Sequence, residues 1–284
     1  MAGVAVVGGG AIGGWLAAGL AHAGHDVALC VRTPVDRLFV DDVEVPVRIT
    51  ADPADVEPVP WVLLATKAQD TAGAQPWLDR LLDDDSTVVV VQNGIDHEER
   101  MQAPSVLPAL AYVAVERVEP DRIRTHTPGW LEVPDTALGT AFATLAGSGM
   151  RVDLAADFRT NAWRKLYANS AANPLGALTL SRMGRLRTGE LRDLAARVLH
   201  ETVEVSVADG AAVDPDAEVA RILERWSQMD PGGGSSMLYD RLAGRPMEHE
   251  YITGAVVRYA DKHGHPAPLN RTLLTLLRAL DQSR

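Results

Sequence analysis

The chain has 284 residues, 46% hydrophobic and 23% charged, with a formal net charge of −11 at neutral pH. This composition supports a buried core and excludes a mainly disordered chain, and the length predicts two domains rather than one. The acid excess opposes any extended nucleic-acid or anionic-membrane surface, so an anion site must be local.

The first half alternates short apolar runs with helix-like stretches. Runs at residues 4–7, 27–31, 61–65 and 88–91 are apolar on every position, the pattern of strands buried on both faces of a parallel sheet. Between them, residues 11–23 and 71–82 have helical composition, and Gly24 stands where a left-handed residue would end the first helix. Cys30 is the single cysteine, which rules out a disulfide within the chain and fits a reducing compartment. From about residue 106 to 133 the pattern changes to short β-rich pieces broken by Pro108, Pro120, Pro128 and Pro134, which predicts antiparallel strands that finish the sheet. Beyond Phe158 the pattern is helical, with three- and four-residue apolar spacing over residues 186–208, 216–229 and 248–263. The expected division is residues 1–156 and 157–284. The start of the chain lacks the basic region and cleavage site of a secretory signal, and no apolar run reaches the roughly 20 residues that cross a bilayer, so a cytoplasmic protein is expected.

Gly8-Gly9-Gly10-Ala11-Ile12-Gly13 follows the first strand and opens the first helix. In that setting Gly8 permits the tight turn, Gly10 lets backbone approach a pyrophosphate, and Gly13 lets helix and strand pack closely. The N–H groups at Ala11 and Ile12 then face the anion with the positive end of the helix dipole. At the end of the second strand an acidic residue would favour NAD through the ribose; here stands Arg32, a planar cation suited to a 2′-phosphate, so NADPH is expected. Lys67, after the run 61–65, is a second candidate cation at the same edge.

Residues 165–175 read as a helix carrying Lys165, Asn169 and Asn173 on one face. Polar groups on a stripe bordered by Leu166, Ala168 and Ala172 suit a site lining better than a core, and an ammonium there could protonate a carbonyl oxygen. Asn93 ends a buried strand beside Gly94, at the ligand-binding edge of a parallel sheet, although an Asn-Gly turn has the same look. Ser235 and Ser236 suit a helix cap as well as a ligand, and Glu248 suits the first turn of a helix as well as a site.

In their order along the chain these motifs resemble the ketopantoate reductase (2-dehydropantoate 2-reductase) family. They are the glycine turn with Arg32, Thr66-Lys67-Ala68, Gln92-Asn93-Gly94, Lys165 through Leu175, Ser235-Ser236-Met237 with Asp240, and Gly244-Arg245-Pro246 with Glu248. The resemblance implies an α/β Rossmann domain that binds NADPH, followed by an all-α domain like that of 6-phosphogluconate dehydrogenase, with substrate in the cleft between them. It implies reduction of ketopantoate to D-pantoate, toward pantothenate and coenzyme A, without a metal. Lys165 would be the general acid, Asn93, Asn169 and Asn173 would orient substrate and nicotinamide, Ser236 would bind the substrate carboxylate, and Glu248 would accept the substrate hydroxyl and help position Lys165. The partners expected are a small 2-keto acid and, at most, a second copy of the chain in a homodimer. Met247, Glu248 and His249 stand where the family often has Thr-Glu-Ile, Tyr239 where glutamine is common, and Thr253-Gly254 where Asn-Gly is frequent. These departures fall at the substrate end and leave open a related reductase of another branched keto acid, or a non-catalytic NADPH-sensing protein.

Overall fold

The computed structural model describes residues 3–97 and 101–282. It divides into two compact units, one of Met1–Gln92 with Asp96–Phe158, the other of Asn93–Ile95 with Arg159–Arg284.

The first unit runs β1 (Gly3–Val7), α1 (Ala11–His22), β2 (Asp26–Cys30), β3 (Phe39–Val40), β4 (Val43–Glu44), β5 (Arg48–Thr50), β6 (Trp61–Leu64), α2 (Thr71–Leu81), β7 (Thr87–Val90), β8 (Ser105–Pro108), β9 (Leu110–Tyr112), β10 (Val115–Glu119), β11 (Arg122–Thr125), β12 (Trp130–Pro134), α3 (Ala137–Ala146) and β13 (Arg151–Ala155). Its main sheet has the order β5-β2-β1-β6-β7-β8, and every neighbouring pair is parallel. The order reverses between β1 and β6, and in sheets of this kind ligands bind beyond the carboxyl ends of strands at that reversal. Alternation along each strand explains the two layers. Val4 and Val6 join Leu16 and Leu20 of α1 in one core, while Ala5 and Val7 join Trp77, Leu78 and Leu81 of α2 in the other. Gly24, at φ +85°, follows the end of α1 in the left-handed region.

The antiparallel completion of the sheet expected for residues 106–133 is not what forms. Only β8 joins the main sheet, and it does so in parallel. The remaining strands build two small sheets, β10-β11-β3-β4 and β13-β12-β9. The reason is polarity. Val115–Glu119 reads Val-Glu-Arg-Val-Glu and is mostly exposed, so it cannot occupy a sheet covered on both faces.

The second unit is helical: α4 (Phe158–Thr179, opening on the last residue of the first unit), α5 (Met183–Leu186), α6 (Gly189–Ala208), α7 (Pro215–Ser227), α8 (Ser236–Leu242), α9 (Thr253–His263) and α10 (Pro268–Gln282). Local chemistry sets the ends. Asp214 caps α7 by accepting from Ala217 N at 2.8 Å ahead of Pro215. Glu201 of α6 accepts from Leu269 N at 2.9 Å and Asn270 N at 3.1 Å, capping α10. No helix among the described residues is long and apolar enough to cross a membrane.

One difference from the expected helices bears on the site. The segment predicted to be helical from residue 248 begins only at Thr253: Glu248 O accepts from Tyr251 N and Ile252 N at 3.1 Å in a single turn, and the next carbonyl, His249 O, accepts from Gly254 N at 2.8 Å, one residue too far along for the helical ladder to run on from it. Glu248 therefore stands ahead of α9 rather than in its first turn.

Candidate active site

In the first unit the glycine turn has the geometry its sequence requires. Gly8 adopts φ +117°, and a Cβ there would lie 2.8 Å from Thr66 N. On Gly13 it would lie 1.8 Å from Gly8 O, so helix and turn are in backbone contact. Gly10 is different: it caps α1 with extended backbone, and a Cβ on it would meet nothing within 4 Å. With no capping side chain and no acid in the first turn, the dipole end of α1 is left to an external anion. These features fit the diphosphate of a dinucleotide.

The two glycines therefore part under substitution. Gly13→Ala is expected to cost about 1–3 kcal/mol of stability by overpacking. Gly10→Ala should alter stability by less than about 0.5 kcal/mol yet weaken dinucleotide binding, and denaturant titration beside cofactor titration checks both.

Arg32 is exposed just past β2, two residues beyond Cys30. The Cys30 thiol is buried and is pushed up to about 12 by that burial, with Arg48 opposing, so it stays protonated and inert. Lys67 is half-buried and precedes the short turn Ala68–Asp70. Gln92 organises that loop: its Nε2 donates to Thr66 Oγ1 at 3.0 Å and to Thr71 Oγ1 at 2.9 Å, and its carbonyl lies 2.7 Å from His97 Nε2. Gln92 entered the sequence reading only as part of a motif; its contacts across 21 and 26 residues are tertiary and leave no local signal.

In the second unit Lys165, Asn169 and Asn173 all lie on α4. Lys165 and Asn169 are half-buried; Asn173 is 1% exposed, and its Nδ2 has no hydrogen-bond partner among the described residues. A buried amide donor without a partner costs about 1–3 kcal/mol, the cost expected of a group kept to meet a ligand. Steps of about 100° per residue turn Trp163 and Tyr167 to the far side of α4 from Lys165. There Tyr167 OH meets Ser206 at 2.5 Å, and Trp163 packs edge-on against Tyr259. Burial pushes the Tyr167 hydroxyl up to about 12, although its bond to Ser206 opposes this, so it does not titrate near neutrality.

Asn93 and Glu248, 155 residues apart, are brought together: Asn93 Nδ2 donates to Glu248 Oε2 at 3.0 Å, and Glu248 is 6% exposed. The turn carrying Glu248 is pinned next door, where Arg278 of α10 grips Glu250 with a fork at 2.6 and 2.8 Å. Hydrogen bonding from Arg278 outweighs partial burial and holds the Glu250 carboxyl below its usual range. Ser235 is the N-cap of α8, accepting from Leu238 N at 3.3 Å, which leaves Ser236 exposed as the first helical residue. That end packs on α4, since a Cβ on Gly176 would lie 3.3 Å from Ser235 Oγ. His249, at a position where the chain departs from the resembled family, is buried with Nδ1 unpartnered among the described residues.

Sequence reasoning missed the cluster beneath the start of α4. Asp209 accepts from Arg159 and from Trp163 Nε1 at 2.8 Å and lies 2.9 Å from His263 Nε2. Burial favours a neutral Asp209, but hydrogen bonds from Trp163 and His263 and the charge of Arg159 prevail, so its carboxyl lies below the usual value. A depressed folded-state pKa contributes stability fully above the unfolded value of about 3.9, and the contribution is lost as pH falls through the folded one. Asp209→Asn should therefore lower stability at neutral pH and flatten its decline over that acid window, as read from urea midpoints across pH.

The sequence matches the family model described as "Ketopantoate reductase PanE/ApbA" over residues 4–137 and that described as "Ketopantoate reductase PanE/ApbA C terminal" over residues 157–281. It is 35% identical to the 2-dehydropantoate 2-reductase of Caulobacter vibrioides over 98% of this chain and 99% of that protein. The crystal structure of a PanE/ApbA family ketopantoate reductase from Ralstonia eutropha superposes with a TM-score of 0.88 at 30% identity, covering 99% of each chain. The dimeric ketopantoate reductase of Staphylococcus aureus superposes at 0.90 with 25% identity, again over 99% of each chain.

Proposed function

Because the chain belongs to the ketopantoate reductase family, we propose that it reduces 2-dehydropantoate to D-pantoate, with NADPH as reductant, a step toward pantothenate and coenzyme A. The observation that carries this reading is the coexistence of a Gly10 turn open to a diphosphate with a Lys165, Asn169, Asn173 stripe ending in an orphaned buried amide. When bound, the reduced nicotinamide supplies the hydride that adds to the C2 carbonyl carbon.

The chain's own residues do the rest. Gly8, Gly10 and Gly13 shape the turn, and the N–H groups at Ala11 and Ile12 face the diphosphate. Arg32 grips the 2′-phosphate, with Lys67 as a second cation. The Lys165 ammonium gives its proton to the carbonyl oxygen as the alkoxide develops, which keeps charge from accumulating there. Asn93, Asn169 and Asn173 fix the orientation of the reactants, Ser236 donates to the substrate carboxylate, and Glu248 accepts the substrate hydroxyl and holds Lys165 in place.

A panel of 2-keto and 3-keto acids, followed by the loss of nicotinamide absorbance, tests the assignment. Ketopantoate should give the highest kcat/KM. Negligible turnover of ketopantoate beside good turnover of another branched keto acid would move the substrate while leaving the reaction.

A further inference from the structure

Arg159 lies six residues ahead of Lys165 on α4 and is held from several directions. Its Nε donates to Asp209 Oδ2 at 2.6 Å, and its Nη2 contacts the same oxygen. Its guanidinium carbon stands 4.7 Å from the centroid of the Tyr259 ring and 5.9 Å from that of Trp163. Asp209, 7% exposed, is fixed in turn by Trp163 and His263. A guanidinium so constrained has one nitrogen left over, and it is used on main chain: Nη1 donates to Ile95 O at 2.9 Å.

Ile95 is two residues from Asn93, and Gly94 between them takes φ +112°, a turn with little stiffness of its own. The segment Asn93–Ile95 is thus tied within its unit by the Asn93 side chain on Glu248 and by the Ile95 carbonyl on Arg159. Loss of the tie to Arg159 would remove a restraint on the backbone that carries the Asn93 amide, next to a residue with wide backbone freedom. A displacement of about 1 Å at a reacting constellation can cost about 10²-fold in rate.

We infer that Arg159, clamped by Asp209, is a positioning residue: by gripping the Ile95 carbonyl it fixes the Asn93 carboxamide on Glu248. Its effect on turnover rests on the roles proposed above for Asn93 and Glu248, while the anchoring itself does not.

Hydrogen exchange and kinetics on the full-length chain test it together. Arg159→Met should speed amide exchange across Asn93–Ile95 by about tenfold or more. It should lower kcat by about 10- to 100-fold with KM for keto acid and Kd for NADPH held within about twofold, and Arg159→Lys should recover part of the loss. Combined with Asn93→Ala, Arg159→Met should add less than about twofold to the loss, because both act through one group. Unchanged exchange at Asn93–Ile95, or losses that multiply in the double variant, would overturn the inference. Should Arg159→Met fail to fold, Arg159→Lys, whose single ammonium cannot reproduce the fork on Asp209 together with the bond to Ile95 O, should still exchange faster at Asn93–Ile95 than the parent, and exchange at the parent's rate would overturn the anchor. If even the parent chain reduces no keto acid, the proposed activity falls, and the exchange result still decides the anchor.

Discussion

Replacing Lys165 with alanine is expected to lower kcat by about 10²-fold or more, with Kd for NADPH within about twofold of the parent. A keto oxygen bears little charge in the bound substrate and nearly a full charge as the hydride arrives, so a proton donor acts mainly in the transition state. General acids of this kind contribute about 10²- to 10⁴-fold. Two other titratable groups on or packed against α4 do not suit the task. Tyr167 is buried against Ser206 with its hydroxyl pushed up to about 12, and Asp209 is held as a carboxylate by its hydrogen-bond donors. Stopped-flow measurement of nicotinamide oxidation separates the chemical step from binding. A near-parent rate in Lys165→Ala would remove this residue from the acid role.

Arg32→Ala should weaken NADPH binding by about 10- to 150-fold, the equivalent of the roughly 1.5–3 kcal/mol carried by hydrogen bonds to a charged group. NADH, which lacks the 2′-phosphate, should lose less than about threefold. Arg32 is exposed at the carboxyl end of β2, where a cofactor's ribose is read in sheets of this order. Calorimetric titration with both dinucleotides measures the difference. Equal losses for the two would show that Arg32 is a solvated strand-end charge rather than a phosphate ligand.

The nucleotide half was largely legible because its chemistry is local. Gly8 needs positive φ and Gly13 needs the absence of a Cβ, and both demands are met within six residues of one another. Buried parallel strands also announce themselves through apolar runs, as β1, β2, β6 and β7 did. The region between β8 and β12 was expected to end the same sheet because short β-rich pieces broken by prolines give the strand type without naming its partners. On α4 the four-residue spacing of Lys165, Asn169 and Asn173 was readable, yet the contacts that support the site were not. Asn93 meets Glu248 across 155 residues, and Arg159 meets Ile95 and Asp209 across 64 and 50, with no periodicity connecting them. Glu248 itself was placed in a helix that begins five residues later, since its turn depends on backbone hydrogen bonds rather than on side-chain pattern.

Reduction of ketopantoate to D-pantoate is tested most directly by product analysis. Incubated with NADPH and ketopantoate, the purified chain should form one D-pantoate for each NADPH consumed, as resolved by chiral chromatography. NADPH that binds tightly while no pantoate forms would contradict it.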